Sequence, residues 1–168
     1  GAAGSGKTIA FSDFANLVGP ANEDNVFTVT STGSLTGSID GGSNWTVLLP
    51  GDTISEIGGV VTATGGTNSW HINSNANGAA SGMVDAGALH VDFSGVSALQ
   101  GSGSNSDTLY GSTTDTAWVL SGAGSGTVGA IAFSGFADLV GAANTDAVFT
   151  LTASGSLTGG IDGGDDGT

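Results

Sequence analysis

The sequence predicts an all-β chain, a parallel β-helix (β-solenoid) built from tandem repeats, and three observations lead there. Residues Ile9 to Gly42 recur at Ile131 to Gly164, an offset of 131 − 9 = 122 with no gap and roughly three quarters of the positions identical. Such self-similarity belongs to architectures in which each unit buries its apolar face only against its neighbours. Glycine supplies 32 of 168 residues. An interior Gly costs ~1 kcal/mol relative to Ala in a helix, so helices are disfavoured. Finally, apolar and polar residues alternate at period two over short stretches, the mark of strands with one buried face. Short strands at this spacing also fit a sandwich or a barrel. Near-identical units in tandem select the solenoid, because a closed sandwich has no reason to repeat its own sequence.

Each element follows from local pattern. Phe11, Phe14, Leu17 and Val18 have helix-like spacing, but Gly135 interrupts the same run in the second copy, so a strand followed by a bend is expected. Phe27 to Thr30, Leu35 to Asp40, Val60 to Thr64, Leu89 to Phe93 and Trp118 to Leu120 read as strands. Asp40-Gly41-Gly42, Pro50-Gly51, Gly65-Gly66 and Asn77-Gly78 read as turns between them. A weaker third copy begins at Phe93, where Phe93-Ser94-Gly95-Val96 and Leu99-x-Gly101 match Phe133-Ser134-Gly135-Phe136 and Leu139-x-Gly141. Trp70-His71-Ile72 and Trp118-Val119-Leu120 each precede that frame.

The copies therefore fall at about 1–69, 70–117 and 118–168 of one continuous solenoid, with the last truncated. Trp45 to Leu49 follows the first copy and has no counterpart after Gly164, so both ends are expected to be cut from a longer repetitive polypeptide. Coils of roughly 20–25 residues stacked about 4.8 Å apart give about seven coils and a length of about 35 Å. Phe11, Phe27, Leu35, Ile39, Phe93, Phe133, Phe149, Leu157 and Ile161 are the expected inward residues. Open edges are expected only at the two ends, where they would template another chain or more of the same one.

Composition excludes several functions. One Lys+Arg against fifteen Asp+Glu gives a formal charge of −14. Nucleic-acid binding needs clustered cations, and anionic membrane surfaces would repel such a chain. No apolar run reaches the ~20 residues that span a bilayer, so neither nucleic acid nor membrane insertion is expected. Absence of Cys removes disulfides and thiolate metal sites.

The pattern Trp-x-Φ, a Gly/Asn-rich linker, Phe-Ser-x-Phe-x-x-Leu-x-Gly, Asp-x-x-Phe and Gly-Ser-Leu-Thr-Gly-x-Ile-Asp-Gly-Gly resembles the tandem repeats of giant bacterial surface proteins. These are the filamentous-haemagglutinin-like proteins and large repetitive adhesins. The resemblance implies a secreted β-helical stalk at the bacterial cell surface or in an extracellular filament. It implies no catalytic residues and no enzyme activity. Expected partners are further copies of the chain, end-to-end or lateral in fibres, and a glycan or another cell surface.

Candidate sites are few. Gly1 to Thr8 fits the G-x-x-x-x-G-K-[ST] phosphate pattern. That motif needs a preceding strand and a following helix, and the run after it recurs in a copy without the lysine, so it reads as a decoy. Asp24, Asp107 and Asp146 close equivalent Asn- and Gly-bearing loops before a strand. Stacked loops of this kind can offer calcium its six to eight oxygens, and Asp40 and Asp162 are secondary candidates. The plainer reading is that Asp and Asn make turns there. The expectation is no cofactor, or Ca2+ at Asp24, Asp107 and Asp146. The alternative function is then a calcium-stabilised glycan- or surface-binding module. Catalysis has only Asp165-Asp166, with His71 and His90 in different sequence contexts and no Arg.

Overall fold

The computed structural model describes residues 14–20, 24–30, 33, 35–42, 44–49, 52–103, 106–113, 117–143 and 145–164. The Gly1 to Thr8 motif, Phe11, the Pro50-Gly51 turn and Asp165-Asp166 lie outside them. The described chain is all-β, with seventeen strands in two sheets, A and B. It alternates strictly between them. β1 (Leu17–Val18) is in A, β2 (Asn25–Thr28) in B and β3 (Ser38–Asp40) in A. Sheet B then takes a three-stranded meander, β4 (Trp45–Leu49), β5 (Asp52–Ile57) and β6 (Val60–Ala63). Sheet A takes the next, β7 (Asn68–Ala76), β8 (Ala79–Ala86) and β9 (Leu89–Val96). β10 (Ala98–Gln100) returns to B and β11 (Thr108–Tyr110) to A. The third meander, β12 (Ala117–Gly122), β13 (Ser125–Val128) and β14 (Ile131–Ser134), is in B. β15 (Asp138–Val140), β16 (Val148–Leu151) and β17 (Ile161–Asp162) close the series in A, B and A.

Sheet A has the order β1-β3-β9-β8-β7-β11-β15-β17, and sheet B the order β16-β12-β13-β14-β10-β6-β5-β4-β2. The ladders are mixed rather than wholly parallel. All nine ladders that join one segment to another are parallel. All six antiparallel ladders lie within the meanders. Two-residue loops close the hairpins whose loops are described. Asn77 and Gly78 both have positive φ, as do Gly58 and Gly59, the type I′ geometry that matches strand twist. Gly87 and Gly129 supply a positive φ at the first loop position, as a type II′ turn requires.

The repeat is physical as well as textual. Gly19 N donates to Asp40 O at 2.7 Å, and Gly141 N to Asp162 O at 2.8 Å. Asn16 Oδ1 accepts from Ser38 N at 2.9 Å, as Asp138 Oδ1 does from Gly160 N at 2.6 Å. Asp40 and Asp162 each fold a carboxylate back onto the amide two residues on, both at 3.0 Å. Every one of these pairs is related by the offset of 122.

The core is a ladder of like residues. Across all eight strands of sheet A, the register runs Leu17, Ile39, Val91, Val84, Trp70, Leu109, Leu139, Ile161, each apolar. Trp45, Trp70 and Trp118 each lie in the first strand of a meander and are fully buried. The Trp-x-Φ spacing puts Trp and the following apolar residue on one face, and Val47, Ile72 and Leu120 are buried beside them. Phe136 joins the two sheets, with its ring 5.4 Å from Trp70 and 6.1 Å from Phe133 in edge-on contacts. Of the expected inward residues, Ile39, Phe93 and Phe133 are buried, and Phe27, Leu35, Phe149 and Leu157 pack partly buried against the core. Ile161 is exposed, because β17 has a neighbour on one side only among the described residues.

Candidate functional site

The three loop aspartates are placed apart. Asp24 precedes β2 and Asp146 precedes β16, at opposite edges of sheet B, and both are exposed. Asp107 is fully buried. Its Oδ1 accepts from Asn68 N at 3.0 Å, Asn68 Nδ2 at 3.5 Å and Ser102 Oγ at 3.2 Å. Its Oδ2 accepts from Ser102 N at 2.8 Å and from the indole Nε1 of Trp70 at 3.2 Å. Its backbone oxygen accepts from Ala137 N at 2.9 Å. One residue thus ties the start of β7, the loop after β10 and the start of β15. Five protein donors already occupy the oxygens that a cation would use. Among the described residues, no group of three or more His, Asp or Glu is arranged to hold a metal ion.

The two histidines, far apart in sequence context, converge on the outer face of sheet A. Asp85 Oδ2 lies 3.4 Å from His71 Nε2, and Asp85 Oδ1 contacts His90 Nδ1. His71 stacks face-to-face on Tyr110, with centroids 4.5 Å apart and planes 9° from parallel. The meander explains the meeting. The β8–β9 hairpin sets Asp85 opposite His90, and β7–β8 sets Ser69 opposite Asp85, which leaves His71 on the diagonal. Hairpin pairing outward from Gly87-Ala88 would have found the Asp85–His90 pair. His71 needs in addition the register shift between Ile72 and Ser74, which no sequence pattern marks.

A cavity of about 460 Å³ opens beside the core, lined in part by Val29, Leu35, Leu49, Leu89 and Asp52. Asp52 Oδ1 accepts from the amides of Thr53, Thr64 and Gly65. Its Oδ2 is buried and has no hydrogen-bond partner among the described residues.

The two ends of the stack are the remaining feature. Among the described residues, β1 and β17 are the outermost strands of sheet A, and β2 and β16 those of sheet B. Large apolar side chains are exposed on all four strands: Val18 on β1, Val26 on β2, Val148 and Leu151 on β16, and Ile161 on β17. Open sheet edges in general can template further strands. No protein-family profile matches the chain, and neither does any curated protein or solved structure.

Proposed function

We propose that the chain is a structural β-solenoid segment, a stiff adhesin-like stalk of a secreted bacterial surface protein or extracellular filament, and not an enzyme. The observation that carries this reading is that, among the described residues, eleven segments alternate strictly between two sheets and every segment-to-segment ladder is parallel. From β1 to β3, β2 to β4 and β15 to β17 the chain advances by one strand spacing on its return to the same sheet, as a coil wound about an axis does. Ladder partners in the simplest turns lie 39 − 17 = 22, 45 − 25 = 20 and 161 − 139 = 22 residues apart, one coil each. The meanders are local antiparallel thickenings of that coil. Eight and nine strands at about 4.8 Å give a stack about 34–38 Å long.

The likeness of the Phe-Ser-x-Phe and Gly-Ser-Leu-Thr-Gly-x-Ile-Asp-Gly-Gly motifs to the repeats of giant surface adhesins supports an extracellular setting. So does the charge of −14, which keeps long polymers soluble and apart. Immunogold electron microscopy of intact cells that make the protein tests the location. Label on the outer surface or on projecting filaments is expected, and label confined to the cell interior would contradict it.

A further inference from the structure

We propose that the outer face of sheet B pairs laterally with the same face of a second copy of this chain, leaving the acidic outer face of sheet A in solvent. This pairing rests on the structural role proposed above and names a partner for it.

The two sheets carry charge very differently. Burial alternates along their interior strands, so every second residue faces outward. On sheet A the outward positions include Asp40, Asp85, Asp92 and Asp138, with His71 and His90 among them. The strands of sheet B contain only two charged residues, Asp52 and Glu56. Both share the parity of buried Ile54 and so lie on the core side. Glu56 is itself buried, and its carboxylate accepts from the amides of Asn44 and Gly59 at 2.8 and 2.9 Å. Among the described residues, no strand of sheet B presents a charge outward.

Small hydroxyl and aliphatic side chains fill that neutral face. Thr46, Ser55, Thr62, Gln100 and Ser134 lie in one register across β4, β5, β6, β10 and β14. Beside that row stand Leu48 and Ile57, 39% and 66% exposed. Their strands have neighbours on both sides, so these side chains are exposed through the face and not through an open edge. Uncharged rows of this kind are what two sheets bury when they stack about 10 Å apart. The trptophan and phenylalanine side chains of sheet B all lie on its inward side, so no ring faces outward to stack on a sugar, and no cation to meet an anionic partner. Charge selects the second copy and its face. Pairing through sheet A would set carboxylates against carboxylates, and like charges so placed oppose binding. Pairing through sheet B leaves the two acidic faces three sheet spacings apart, about 30 Å. Screening at physiological ionic strength acts beyond about 8 Å, so a formal charge of −14 per copy opposes this contact least. The same surface serves both partners, which makes the contact isologous.

Gln100 is exposed within the row, between Thr62 and Ser134. Gln100→Glu adds a charge there with almost no change of shape, and Gln100→Lys adds the opposite one. Ser94 is exposed on the outer side of sheet A, so Ser94→Glu puts the same charge on the other face. Sedimentation velocity over a concentration series reads the association, and circular dichroism confirms that each variant keeps its fold. We expect the wild-type chain to pair, Q100E to pair about tenfold or more weakly through like charges across the contact, and S94E to match wild type. An equimolar mixture of Q100E and Q100K should pair again, because the added charges then complement each other. Equal weakening by Q100E and S94E, or a mixture that fails to recover, overturns the contact. Wild-type protein that stays monomeric but is retained on insoluble cellulose, with retention lost in Q100E, gives the face to a neutral glycan and overturns the pairing. Single, unpaired fibres in electron micrographs remove the lateral contact and leave the structural role standing. Monomers that form neither pairs nor fibres remove both.

Discussion

At the scale of single residues, Asp107 has the clearest consequence. Its carboxylate takes five donors from two elements, and it has no exposure. Asp107→Asn keeps the shape but turns one acceptor into a donor, which must face an N–H or hydroxyl already pointing at it. An unsatisfied buried donor costs about 1–3 kcal/mol. With more than one bond affected, a loss of about 3 kcal/mol is expected, seen as a fall of roughly 6–12 °C in melting temperature for a domain of this size. Thermal melts followed by circular dichroism check it. Chelator should leave wild-type melting unchanged, since protein donors rather than an ion satisfy this carboxylate. Sequence alone put Asp24, Asp107 and Asp146 in one class, because the loops match. They differ only in what stacks against them. Asp107 lies mid-stack with strands on both sides, whereas Asp24 and Asp146 lie at its ends.

Elements show which features were legible. The strands at Val60–Ala63 and Leu89–Val96 and the Asn77-Gly78 turn follow from period-two patterning and turn chemistry, both local properties. The meanders do not. β7 lands beyond β9, and the chain then fills backward toward β3, an order that no local pattern of residues encodes. Within that meander, the two hairpin registers bring His71 and His90 to Asp85.

A glycine makes each folded-back meander possible. Gly82 on β8 sits opposite Phe93, and Gly126 on β13 sits opposite Phe133. A Cβ at Gly82 would collide with the carbonyl oxygen of His71, and one at Gly126 with that of Val119. Gly82→Ala and Gly126→Ala should each cost about 2–3 kcal/mol through overpacking. Gly87→Ala is the contrasting case, since a Cβ there meets nothing but the backbone has positive φ. Its cost should be smaller, about 1–2 kcal/mol. Urea titration of the three variants ranks them, and an equal ranking would contradict the packing explanation.

For the molecule as a whole, the proposed solenoid would extend by stacking further copies along its axis. A formal charge of −14 per copy opposes contact between copies. At physiological ionic strength that repulsion is screened beyond about 8 Å, so end contacts that bury Val18, Val26, Val148 and Ile161 can prevail where distant charges no longer matter. The resulting polymer would have strands perpendicular to its axis and sheets parallel to it. Electron cryo-microscopy of the natively assembled material tests this most directly. Continuous fibres with a layer line near 4.8 Å along the axis, the strand spacing, are expected. Dispersed, capped particles without that repeat would contradict it.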